Sequence, residues 1–61
     1  MPQFFLYCAE EGKFILKLEG EKTTSEFTDI VAAVSAARMM HAKAALVVYD
    51  AAGGVVIDTV I

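Results

Sequence analysis

One segment in the middle of the chain has the composition of a helix, and it is the only such segment. FTDIVAAVSAARMMHAK is rich in Ala and Met, which are good helix formers. Thr28 or Asp29 can cap its first turn through a side-chain oxygen, so we expect a helix from about Asp29 to Ala42 or Lys43. A single helix can cover only one face of whatever sheet the rest of the chain forms.

The apolar segments on either side of this helix are predicted to be four strands. Residues 4–10 are aromatic and apolar, and KFILKLEG alternates between apolar and polar side chains, as a half-buried strand does. After the helix, residues 44–50 and the segment VVIDTVI are rich in β-branched residues. The polar stretch Glu19–Glu26 is interpreted as a loop, or as a strand end with a mobile tip.

Gly12, and the glycine pair in DAAGG, mark tight turns that close two hairpins. We therefore expect a single domain over residues 1–61, of the α+β class. The predicted order is ββαββ, with a four-stranded, mainly antiparallel sheet and one helix packed on one face.

The chain is short and unusually apolar. It has 61 residues, of which 57% are hydrophobic, and its only cysteine is Cys8. A domain of this size buries roughly 60% of its unfolded surface and is marginally stable by itself. Neither an intrachain disulfide nor a zinc site is available to reinforce it, because Cys8 and His41 stand alone. We expect no cofactor, and we expect a partner chain to supply the missing stability.

Charge and hydropathy patterns argue against two classes of partner. The formal net charge is -3, which disfavours binding to a phosphate backbone. Arg38, His41 and Lys43 interrupt the most apolar region, and charges there disfavour a membrane-spanning helix. The N-terminus has no basic region before its apolar run, unlike a signal peptide. These features predict a cytoplasmic protein without nucleic-acid or membrane partners.

Apolar side chains on both faces of the predicted strands are the feature that bears most on function. In the first strand, alternate residues point to opposite faces, and both sets are apolar. The outward side of the predicted helix is also apolar, and exposed apolar patches mark partner sites. We expect the partner to be a second copy of the chain, which gives a homodimer, and the alternative is that the partner is another protein. The candidate interface residues are Phe4, Phe5, Tyr7, Val31, Met39, Val47, Tyr49, Val56 and Val60.

The basic cluster ARMMHAK has two interpretations. Cationic side chains near a helix C-terminus are stabilised by the helix dipole, and this effect alone is sufficient to explain why Arg38 and Lys43 lie there. The alternative is an anion-binding or pH-sensing site formed by Arg38, His41 and Lys43. His41 is predicted to lie at the edge of the core or at a dimer contact.

Three functions are compatible with these patterns. The first is a non-enzymatic, homo-oligomerising interaction module, most simply a dimer. The second is an antitoxin-like or sensory regulatory module that binds a partner protein. The third is a small thiol enzyme in which Cys8 is the nucleophile and His41 the base. The third needs the two side chains to meet in a cleft, and we expect no enzyme.

The helix segment and the last turn also carry a resemblance. TDIVAAVSAAR, followed by ALVVYD and a glycine turn before VVID, resembles a family of short bacterial proteins of unknown function. Ala33, Ala37 and Arg38 match the helix pattern of that family, and Asp50 with Gly53 or Gly54 matches its turn. Val31 or Ala32 stands where an acidic residue is usual. The resemblance implies a ββαββ plan and no particular activity.

Overall fold

The computed structural model describes all 61 residues. It contains one helix and five strands: β1 (Gln3–Glu10), β2 (Lys13–Leu18), β3 (Ser25–Phe27), α1 (Ile30–Met40), β4 (Ala45–Tyr49) and β5 (Val55–Val60).

The strands form one mixed sheet with the order β3-β2-β1-β4-β5. The central pair, β1 and β4, is parallel, and all the other neighbours are antiparallel. The prediction of a four-stranded, mainly antiparallel ββαββ sheet was therefore wrong in two respects. It lacked β3, and it did not include a parallel pair at the centre. The α+β content and the two hairpins, β1–β2 and β4–β5, agree with the prediction.

The additional strand explains the parallel pair. Ser25–Phe27 lies in and just beyond the polar stretch, and its residues pair with Leu16, Ile15 and Phe14 of β2. Because β3 runs antiparallel to β2, it runs in the same direction as β1. The chain then returns through α1, and a helical crossover joins strands of the same direction. As a result, β4 enters the sheet parallel to β1.

The helix begins where the sequence predicted and ends earlier. Asp29 is the N-cap, and its Oδ1 accepts a hydrogen bond of 2.7 Å from the backbone N–H of Val31. Its C-cap is His41, whose backbone is extended and donates to the carbonyl of Ala37 at 3.0 Å. The predicted last turn, up to Ala42 or Lys43, is absent because the chain turns there to enter β4.

The β4–β5 turn is organised by one carboxylate. Asp50 Oδ1 accepts hydrogen bonds from the backbone N–H groups of Ala52, at 3.0 Å, and Gly54, at 2.8 Å. Gly53 has a φ of 88°, a conformation that favours glycine. This turn fixes the direction in which β5 leaves β4, and so it positions the last strand of the sheet.

The core lies between α1 and one face of the sheet, which we call the helix face. Eight buried residues form it: Phe4, Leu6, Leu16, Ala33, Ala37, Ala44, Leu46 and Val48. The helix contributes only alanines to this set, so its backbone can approach the sheet closely. The main contacts of α1 are with β2 and β3. The helix therefore lies over the β3 side of the sheet, away from β5.

Candidate functional site

β5 is an edge strand that is exposed along its whole length. All six of its residues are exposed, and four of them are large apolar residues. Val55 is the most exposed of these four, at 60%, and Ile57 the least, at 41%. Edge strands of soluble proteins are usually short, charged or covered, since an open edge can pair with another chain. Asp58 is the only charged residue in β5.

The backbone of β5 has hydrogen-bonding groups that point away from the sheet. Ile61 donates to the carbonyl of Ala44 at 2.9 Å and accepts from its N–H at 3.4 Å, so these residues form a hydrogen-bonded pair. Hydrogen-bonded and non-hydrogen-bonded pairs alternate along an antiparallel ladder. Thr59 and Ile57 thus point their backbone groups toward β4. Those of Asp58 and Val60 point outward from the edge.

The opposite edge of the sheet is protected. β3 has only three residues, and α1 packs against it. Glu26 of β3 also forms an ion pair with Lys13 of β2, with 3.8 Å between Nζ and Oε2. Short length and charge are two of the means by which proteins block edge pairing. The sheet therefore has one protected edge and one free edge.

The face of the sheet opposite α1, which we call the open face, carries an aromatic cluster. Tyr7 and Tyr49 stack with their ring centroids 5.2 Å apart, and Phe5 stacks on Tyr49 at 6.4 Å. Val47 lies beside Phe5 in the register of β1 and β4. Stacking leaves these side chains partly shielded, and Tyr7 is the most exposed of them at 40%.

The candidate interface residues therefore fall into four locations. Phe5, Tyr7, Val47 and Tyr49 lie on the open face, and Val56 and Val60 lie on β5. Val31 and Met39 lie on the outer side of α1 and are both exposed. Phe4 has no exposed surface, because it is part of the core.

The basic cluster lies at the C-terminal end of α1. Arg38 is in the last turn and Lys43 follows the cap; both are exposed, and neither forms a salt bridge. His41 is half-buried, with its ring centroid 5.9 Å from that of Phe4. His41 therefore lies at the edge of the core, which is one of the two positions predicted for it; the other, a dimer contact, stays a prediction. Arg38 lies where the helix dipole favours a cation.

Cys8 and His41 do not come together. Cys8 pairs with Phe14 near one end of β1, whereas His41 contacts Phe4 near the other end. Four residues of strand separate these positions by roughly 13 Å. The geometry that a thiol–imidazole pair requires is therefore not present in this chain. No group of three His, Cys, Asp or Glu residues is arranged to hold a metal ion.

A single pocket of about 180 Å³ lies beside the C-terminal end of α1. It is lined by Phe4, Leu16, Leu18, Glu21, Thr23, Ser25 and Met40. Glu21 is its only ionisable residue. Neither Cys8 nor His41 lines it, so the pocket does not combine with the candidate catalytic residues.

Comparisons with protein-family models, with curated proteins and with solved structures found no match. The resemblance to short bacterial ββαββ proteins stays a prediction. No helix of the structure is long and apolar enough to cross a membrane.

The sequence did not single out three residues of β5: Val55, Ile57 and Asp58. The sequence did show that the segment VVIDTVI has apolar residues on both sides of the predicted strand. What the sequence lacked was the strand order. Only the sheet topology shows that β5 is at an edge, with α1 placed on the far side.

Proposed function

We propose that this chain is a non-enzymatic protein-interaction module that works in the cytoplasm as a homo-oligomer, with a dimer as its basic form. The observation that carries the proposal is the free edge of β5, which is exposed along its whole length and mostly apolar. Pairing with another strand would satisfy its outward backbone groups and cover Val55, Val56, Ile57 and Val60. The lone Cys8 is consistent with a reducing compartment.

The difference between the two edges supports a closed dimer over an open polymer. If both edges were free, chains could add one after another and form a fibre. Here the β3 edge is short and carries an ion pair, so only β5 is free. Pairing of β5 with β5 of a second copy uses the one free edge of each chain. Such an isologous contact is complete after two copies.

Asp58 allows this proposal to be tested with a matched pair of variants. Its N–H points outward, so Asp58→Pro removes a donor that only an intermolecular ladder uses, and proline is tolerated at such edge positions. Asp58→Asn removes the same charge and keeps the N–H. In analytical ultracentrifugation we expect the parent chain and Asp58→Asn to sediment at twice the chain mass of 6.6 kDa. We expect Asp58→Pro to sediment as a monomer with unchanged far-UV circular dichroism.

Two results would contradict the proposal. One is a parent chain that remains monomeric at the highest soluble concentration. The other is an Asp58→Pro variant that associates as strongly as Asp58→Asn. If Asp58→Pro fails to fold, Val60→Pro repeats the test, because the N–H of Val60 also points outward.

A further inference from the structure

We infer that the pocket beside the C-terminal end of α1 binds a small primary amine, with the ammonium group at Glu21 and a short apolar body against Leu18 and Met40. This site lies on the helix face of the sheet, and its occupation is a property separate from self-association through β5. Two features of the pocket carry the inference: a wall of polar side chains without partners, and an apolar base that the helix leaves uncovered.

One wall of the pocket comes from the segment that leads from β2 into β3. Glu21, Thr23 and Ser25 line the pocket, whereas the residues between them, Lys22 and Thr24, do not. Alternate residues of an extended segment point to the same side, so this spacing places one carboxylate and two hydroxyl groups on the pocket. The side chains of these three residues form no hydrogen bond or ion pair within the chain.

The chemistry of this wall favours a cation with several N–H donors. A primary ammonium group has three donors and no acceptor, and carboxylate and hydroxyl oxygens accept hydrogen bonds from it. Arg38, His41 and Lys43 lie near the same end of α1, but none of them lines the pocket. The negative end of the helix dipole also lies here. The carboxylate of Glu21 is therefore a charge that no basic side chain of this chain pairs with.

The remaining lining of the pocket is apolar. Phe4 and Leu16 are almost fully buried and form its base, while Met40 is 55% exposed at its rim. Because α1 ends at Met40, it leaves Leu18 only partly covered. The pocket volume of about 180 Å³ exceeds the roughly 150 Å³ of a cavity that holds benzene. An amine that carries one six-membered ring, or an alkyl chain of similar size, therefore fits.

Benzylamine is a suitable probe, because it joins a protonated primary amine to one benzene ring. Added to the ¹⁵N-labelled chain, it should shift the amide NMR signals of Glu21, Thr23 and Ser25 saturably, with a Kd on the order of 1 mM. Glu21→Gln keeps the size of the side chain and removes its charge, so we expect the Kd to rise about 5- to 10-fold. Glu19→Gln removes the same charge from an exposed residue outside the pocket, and the Kd should stay within about 2-fold in physiological salt.

Two further probes separate the charge from the apolar body. Benzyl alcohol has the ring without the charge, and methylamine has the charge without the ring, so each should bind at least about 5-fold more weakly than benzylamine. The inference is overturned if benzylamine causes no saturable shift, if either analogue binds as tightly, or if Glu19→Gln weakens binding as much as Glu21→Gln. These outcomes are independent of self-association, because the pocket lies on the β2–β3 side of the sheet and β5 is at the opposite edge.

Discussion

Replacing Phe4 with alanine is expected to reduce the free energy of unfolding by about 3–5 kcal/mol. Phe4 has no exposed surface and is one of the three largest fully buried side chains, together with Leu6 and Val48. Its removal leaves a cavity beneath a helix whose two fully buried side chains are both alanines. A chain of this length has a total stability of roughly 3–9 kcal/mol. Urea denaturation followed by far-UV circular dichroism should therefore show a largely unfolded variant.

Phe5→Ala is the matched control, because it removes the same ring one residue further along β1. Phe5 points to the open face, where it stacks on Tyr49 and is only partly buried. We expect a distinctly smaller loss of stability than for Phe4→Ala. Both variants must be compared at one chain concentration, since association links stability to concentration. Equal losses, or a larger loss for Phe5→Ala, would contradict the division into a helix face and an open face.

Replacing Ala37 with leucine is expected to cost about 1–3 kcal/mol by overpacking. Ala37 and Ala33 are fully buried, and both lie where α1 meets the sheet. A longer side chain at position 37 has to push the helix away from β2 and β3. Leucine is nearly as good a helix former as alanine, so the loss would come from packing and not from helix propensity.

Ala32→Leu separates these two effects. Ala32 lies on the exposed side of the same helix, so the substitution leaves the core unchanged. Thermal unfolding should give a lower midpoint for Ala37→Leu than for Ala32→Leu. If the two variants have the same midpoint, the close contact between α1 and the sheet is not tight enough to exclude a larger side chain.

Local sequence patterns were sufficient for most of the secondary structure. The alternation in KFILKL, the β-branched runs at β4 and β5, and the cap at Asp29 each depend on neighbouring residues. β3 was missed because its residues, SEF, have no apolar run and follow a polar stretch. Its formation depends on the neighbouring edge of β2, with which all three of its residues pair. Pairing between two strands of this kind cannot be recognised from the sequence of the shorter strand alone.

The direction of β4 could not be predicted once β3 was missed. With four strands, two hairpins joined by a helix suggested an antiparallel sheet, and the fifth strand changes the direction in which the chain enters the crossover. The same error concealed the importance of β5. Its apolar residues were noted, but the sequence contains no signal that places β4 beside β1 and leaves β5 at the edge.

The sequence predicted that the candidate site would be an exposed apolar surface, but it did not predict that this surface would lie at β5. Apolar side chains on both faces of the strands correctly indicated that one helix would leave apolar groups uncovered, as at Val55, Val56 and Val60. Which of these uncovered side chains can bind a partner chain depends on their surroundings in the sheet. Phe5 and Tyr49 shield each other by stacking, whereas the β5 side chains stand at an edge that also has free backbone groups.

Amide hydrogen exchange at Asp58, measured over a range of chain concentrations, tests the central claim most directly. In a monomer the N–H of Asp58 points to solvent, whereas the N–H groups of Ile57 and Thr59 are bonded to β4. Pairing of two β5 strands would engage the N–H of Asp58 and leave the other two unchanged. We predict that exchange at Asp58 slows progressively as the chain concentration rises, while exchange at Ile57 and Thr59 is slow throughout. Fast exchange at Asp58 in a chain that sediments as a dimer would contradict pairing through the β5 edge.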